Sequence, residues 1–197
     1  MILKTRDRLI EVARQVFSRK GVDKTTMNDI AAAAQKSRRT IYTYFRSKKE
    51  IYRAVIETEC EEILIQLRSV VENPSLGPTD KMRQFISISI DNLETNMSAD
   101  PKSDKFDNDL ERIERIRRTT IQIKEEMLRS IVIEGVRQGV FDVNLSRHVL
   151  TAMILIIRGL EAATFRGNKV SKNILKDHLS QFVINYLTNN PNSNETT

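Results

Sequence analysis

Apolar residues recur every three or four positions along almost the whole chain, and little interrupts them: four prolines and six glycines in 197 residues. That spacing lines one side of an α-helix, whereas a half-buried strand alternates every second residue. No segment keeps a strand period for more than a few residues, so the fold class is all-α. Leu9, Val12, Ala13, Val16 and Phe17 make the first stripe and predict a helix over about Arg6–Lys20. Gly21 follows two cations and suits the left-handed residue that closes a helix. Ile51, Val55, Ile56, Cys60, Ile63, Leu64, Leu67 and Val71 make a longer stripe, which ends at the break Asn73–Pro78.

Between those two stripes the helices are short and begin on capping residues. Thr26 stands three before Asp29, a short capping box that opens a helix carrying Met27, Ile30, Ala31 and Ala34 inward. Ser37 opens the next, to about Phe45, with Ile41 and Phe45 four apart on its core side. Ser47, three before Glu50, opens the long fourth helix. Gln35 and Lys36 alone separate the second helix from the third, which is the economy of a helix-turn-helix.

Charge is distributed unevenly over this plan. Residues 1–50 hold 13 Lys/Arg against 5 Asp/Glu, while the remaining residues hold 19 against 21. A basic N-terminal quarter on a near-neutral body points to an anionic polymer as the partner of that quarter. The longest apolar run, Met153–Ile157, is far too short to cross a bilayer, which takes about 20 residues. No apolar signal segment is evident, and one cysteine, Cys60, makes no internal disulfide. The expectation is a cytoplasmic protein with no membrane partner.

On the third helix a 100° step per residue puts Arg39, Thr40 and Thr43 opposite the buried side, with Arg38, Tyr42 and Tyr44 at its borders. Guanidinium groups grip guanine O6 and N7, and a threonine methyl touches thymine. Phenol hydroxyls at the margins reach phosphate oxygens, which set register without reading sequence. Helix starts at Thr26 and at Ser47–Lys48 add backbone donors for flanking phosphates.

The stretch Gly21–Ile56 resembles the DNA-binding signature of the tetracycline-repressor (TetR) family of bacterial regulators. The resemblance is carried by T-x-x-x-I-A at Thr26–Ala31, I-Y-x-Y-F at Ile41–Phe45 and S-K-x-E at Ser47–Glu50, and it covers roughly the first 55 residues. It implies a homodimer in which each N-terminal module reads half of a palindromic operator, and a small molecule bound by the C-terminal domain releases the DNA. It implies base contacts from Arg38, Arg39, Thr40 and Thr43, and phosphate contacts from Thr26, Tyr42, Tyr44 and Lys48. Two positions depart from the family pattern. Gln35 stands where glycine is usual in the turn, and Lys36 where an apolar residue usually plugs it.

The expected organisation is a helix-turn-helix DNA-binding domain over 1–47, a helical ligand-binding and dimerisation domain over 48–189, and a disordered tail over 190–197, with about nine helices in all. Beyond the break, helices are predicted over about 80–97, 110–138, 147–166 and 172–187, with a polar loop over 98–108. By the resemblance, the last two long helices pair with their symmetry mates, through Gly159, Ala163, Leu179, Phe182 and Tyr186. Leu67, Phe85, Ser89 and Met127 are candidate lining of a pocket for an unidentified, lipophilic effector; each also reads as plain core. Cys60 falls on an apolar stripe and reads as a buried small hydrophobe.

His148 and His178 lie on different helices with no ligand-spaced company, so neither a metal nor another cofactor is expected. No nucleophile–base constellation is found, which argues against an enzyme. A basic helical module that docks on acidic protein surfaces, and a TetR-like activator without a small-molecule effector, are the alternative readings.

Overall fold

In a computed structural model of the chain, the residues described are 2–92, 108–142, 144, 148–156 and 172–188. They form eight helices, with no strand among them. In order these are α1 (Ile2–Lys20), α2 (Met27–Ala33), α3 (Arg38–Tyr44), α4 (Lys48–Val71), α5 (Pro78–Asp91), α6 (Asn108–Arg137), α7 (residues 148–156) and α8 (Lys172–Thr188). The predicted tail over 190–197, most of the loop over 98–108, and the later part of the predicted helix over 147–166 lie outside the described residues.

Helix ends follow local chemistry. α1 begins at Ile2, before the expected Arg6, and no glycine or proline between them stops a helix. α5 begins two residues earlier than the apolar stripe suggested, on Pro78 after the N-cap Gly77. Proline suits the first helical position, where its missing N–H is not needed and its φ is already helical. Gly21 (φ +80°) follows α1 and Gly139 (φ +69°) follows α6, as their spacing predicted.

The chain divides into two units. The first takes in α1, α2, α3, α4 as far as Glu61 and α6 as far as Thr119. Its core packs Leu9, Ala13 and Phe17 against Ile30, Ala31 and Ala34, then Ile41 and Phe45, then Ile51, Val55 and Ile56. Phe17 meets Tyr52 edge to face at 5.6 Å, which locks α1 to α4. Cys60 is buried in the same core. Burying a side chain the size of Ile41 or Phe45 contributes about 1.5–3 kcal/mol, so the two hold the seven-residue α3 far better than its own backbone does.

The second unit takes in the rest of α4 and α6 with α5, α7 and α8. Leu67, Phe85, Ile86, Leu128, Ile131, Met153, Val183 and Leu187 fill its centre. Two of its features were not legible beforehand. Lys81, 5% exposed, donates to both Glu134 oxygens at 2.8 and 3.1 Å and ties α5 to α6 across 53 residues. Gly135 touches the Phe141 ring so closely that an added Cβ would stand 2.0 Å from it. That glycine is therefore required by packing rather than by backbone conformation.

Candidate nucleic-acid interface

The second and third helices are set by reciprocal side-chain caps. Thr26 Oγ1 accepts from Asp29 N–H at 3.1 Å, and the Asp29 carboxylate takes both the Thr26 N–H and the Thr26 hydroxyl proton, each at 2.8 Å. Lys20 closes the cluster from the end of α1, 2.9 Å from the other Asp29 oxygen. Its ammonium is the leading cause, ahead of the Thr26 N–H and hydroxyl, holding the Asp29 pKa at about 2 instead of 3.8. Thr26, a predicted phosphate contact, is exposed, but both of its donors are already engaged by Asp29.

The turn between α2 and α3 closes without glycine. Gln35 N–H reaches the Ala32 carbonyl at 3.0 Å and Lys36 N–H reaches the Ala31 carbonyl at 2.9 Å, the paired bonds of a Schellman motif. Gln35 takes the left-handed position with φ +53°, where the absence of a glycine matters. Lys36 is exposed, so the apolar plug usual at such a turn is not supplied by this residue.

Ser37 then caps α3, accepting from Thr40 N–H at 3.1 Å. Its hydroxyl and that of Thr40 are 2.9 Å apart. Ile41 and Phe45 are fully buried, which turns the opposite side of the helix outward. Arg38, Arg39, Tyr42 and Thr43 are exposed there, and Thr40 and Tyr44 are half-buried. Tyr44 packs against the core, whereas Tyr42 carries the Arg38 guanidinium over its ring at 5.5 Å. Arg39 has no side-chain partner among the described residues and stands out into solvent. Thr43 donates to the Arg39 carbonyl at 3.0 Å. At the far end of α3, Arg6 from α1 sits 5.4 Å above the Phe45 ring.

α4 starts with Ser47 Oγ accepting from Glu50 N–H at 3.2 Å, while the Glu50 carboxylate reaches back to Arg46 N–H at 2.6 Å. The predicted cap is present, with Arg46 rather than Ser47 as the returned donor. Lys48, a predicted phosphate contact, donates to the Val22 carbonyl at 2.8 Å and the Asp23 carbonyl at 3.1 Å. Two of its three protons are thereby directed at the turn between α1 and α2.

The remaining candidates fall in the second unit. Leu67 and Phe85 are fully buried in its core, Ser89 is buried and Met127 packs half-buried against it. Ser89 Oγ has no hydrogen-bond partner among the described residues. Leu179 is half-buried, whereas Phe182 and Tyr186 are 65% and 39% exposed on α8, their rings stacked at 6.3 Å. Gly159 and Ala163 lie outside the described residues. His148 and His178 are both exposed, and His148 Nδ1 lies 3.1 Å from the Asn144 carbonyl. Among the described residues no three His, Cys, Asp or Glu side chains gather as a metal site, and no helix is long and apolar enough to cross a membrane.

Three helices, the third held by its core side and offering cations and hydroxyls outward, define a helix-turn-helix module of the DNA-binding class. Residues 9–55 match the bacterial regulatory proteins of the tetR family, and the match is confined to this N-terminal part of the chain. The HTH-type transcriptional regulator YfiR of Bacillus subtilis (strain 168) is 40% identical over 68 residues, 34% of this chain and 33% of YfiR. The biofilm operon icaADBC HTH-type negative transcriptional regulator IcaR of Staphylococcus aureus (strain Newman) is 33% identical over 81 residues, 41% of this chain and 43% of IcaR. The chain thus matches between about a third and under half of these curated relatives' length.

The fold likeness runs further than the sequence likeness. The transcriptional regulator FadR of Bacillus subtilis, solved in complex with stearoyl-CoA, superimposes with a TM-score of 0.65 at 16% identity, over 91% of this chain and 98% of FadR. At that identity the likeness is one of fold.

Proposed function

We propose that the chain is a homodimeric, sequence-specific transcriptional regulator, a repressor released from a palindromic operator by a small molecule. Residues 1–47 form the DNA-binding part, and residues 48–189 the ligand-binding and dimerisation part. The observation that carries this reading is the outward side of α3: Arg39 and Thr43 exposed, with Ile41 and Phe45 fully buried behind them. Arg38, Arg39, Thr40 and Thr43 are the base-reading set. Tyr42, Tyr44 and the remaining Lys48 proton take phosphates, and Thr26 contributes by fixing the start of α2.

Dimerisation is supported by α8. Its inner side packs Val183, Ile184 and Leu187 into the second unit, yet it also exposes the Phe182–Tyr186 pair. Exposed aromatic area at such spacing marks a surface that another chain covers. Leu155 on α7 is likewise exposed, at 64%.

The effector reading rests on the second unit's core, where Leu67, Phe85 and Met127 are apolar and the Ser89 hydroxyl lacks a partner among the described residues. A lipophilic molecule with one polar group suits that lining. FadR, a neighbour in fold, is solved with stearoyl-CoA, which joins a long apolar acyl chain to a large polar head.

Selection of host genomic fragments by the purified chain tests the proposal. Inverted repeats with a constant half-site spacing are expected. Recovery of fragments without a common sequence, with salt-sensitive capture of acidic proteins, would favour a protein-docking module instead.

A further inference from the structure

The hydroxyl groups on the outward side of α3 are not chemically equivalent. Thr43 donates its one hydroxyl proton to the Arg39 carbonyl, 3.0 Å away and one turn back. With that proton committed, Thr43 has nothing to give to guanine O6 or N7, to thymine O4 or to a phosphate oxygen, all of which only accept. It retains an oxygen lone pair and a methyl group at an exposed position. Thr40 differs. Its Oγ1 shares a proton with Ser37 Oγ at 2.9 Å, and either oxygen can donate, so Thr40 can meet a base as donor or acceptor.

In the major groove an A·T pair offers the thymine methyl together with the adenine amino group, whereas G·C offers an amino group and no methyl. We propose that Thr43 selects an A·T base pair by packing its methyl group on the thymine methyl, the bond to the Arg39 carbonyl withholding its hydroxyl from guanine. This assignment rests on the DNA-binding reading above. Arg39, on the same side of α3, has the opposite preference, because a guanidinium places two parallel donors on guanine. A half-site therefore combines a G·C pair and an A·T pair read from adjacent turns of one helix.

The test begins with selection from random duplexes by the full chain and by Thr43→Ser and Thr43→Val. The A·T position that Thr43→Ser no longer enriches is then rebuilt with deoxyuridine, which removes the thymine methyl alone. The wild type and Thr43→Val, which retains a methyl, should each lose about fourfold in affinity on the uracil duplex, the worth of one buried methyl. Thr43→Ser should bind both duplexes alike. Thr43 is exposed, so circular dichroism should show all three chains equally helical.

Equal binding of the wild type to both duplexes overturns the assignment. So does a Thr43→Val chain that alone loses the A·T preference, which is what a donating hydroxyl would give. Enrichment of a palindrome with no such A·T position overturns this assignment while leaving the DNA-binding reading intact. A wild type that enriches no sequence overturns both.

Discussion

The Lys48 ammonium at the start of α4 hydrogen-bonds the Val22 carbonyl at 2.8 Å, 26 residues earlier in the chain. Its second bond, to the Asp23 carbonyl at 3.1 Å, makes it a clip that fixes where α4 begins relative to the α1–α2 turn. One proton is left for a phosphate. Lys48→Met should lower stability by about 1–3 kcal/mol, the worth of hydrogen bonds from a charged donor. It should also weaken all DNA sequences alike and reduce the salt slope of binding by about 1. Chemical denaturation and binding across a salt series measure the two effects. An unchanged slope with lowered stability would leave Lys48 as a clip alone.

Gln35 holds φ +53° in the Schellman turn that ends α2, where Gly139 holds the equivalent place after α6. A side chain in the left-handed region costs about 1 kcal/mol that glycine does not incur. Gln35→Gly should raise the melting temperature by about 2–4 °C. Affinity for DNA should not change, since Gln35 lies outside α3. A fall in melting temperature would mean that the glutamine side chain stabilises the turn more than its backbone strains it.

Asp29 gives a pH prediction. Lys20 and Thr26 hold its pKa at about 2, against 3.8 in a free chain. A depressed carboxylate stabilises fully above the unfolded value, and its contribution is lost as pH falls through the folded one. The cap on α2 should therefore persist at pH 3 and be lost as pH falls through 2. A carboxyl-detected NMR titration should place the Asp29 midpoint near 2, and Lys20→Met should raise it. A wild-type midpoint near 3.8 would contradict the cluster.

These local features divide by how much the sequence could carry. The Thr26–Asp29 box, the Ser37 cap, and the glycines after α1 and α6 are written in residues a few positions apart, so a linear reading finds them. The inward side of α3 follows equally from the spacing of Ile41 and Phe45. Lys48 on Val22, Lys81 on Glu134 and Phe141 on Gly135 depend on how separate segments pack, and no periodicity encodes that. The Thr43 bond was missed for another reason. Threonine at an exposed helical position reads as outward, and the direction of its proton is settled by the carbonyl one turn back. Leu67 and Phe85 show the hardest limit, because an apolar pocket and an apolar core use the same residue types.

Phe182 and Tyr186 lead to a prediction about assembly. If their stacked rings form part of a twofold contact, Phe182→Glu should place a carboxylate from each chain in that apolar contact. Sedimentation velocity should then find the wild type dimeric at micromolar concentration and the variant monomeric. Both should keep the same helix content, because Phe182 is 65% exposed within its own chain. A wild type that is monomeric at that concentration would remove the dimer from the account.

The proposed reading of a base by Arg39 is measured by a competition titration on one selected duplex against a copy with the guanine at that position replaced. The wild type should prefer the selected duplex, and Arg39→Ala should lose about 1–3 kcal/mol of that preference while still binding DNA in general. A variant that discriminates between the two duplexes as well as the wild type would contradict the claim.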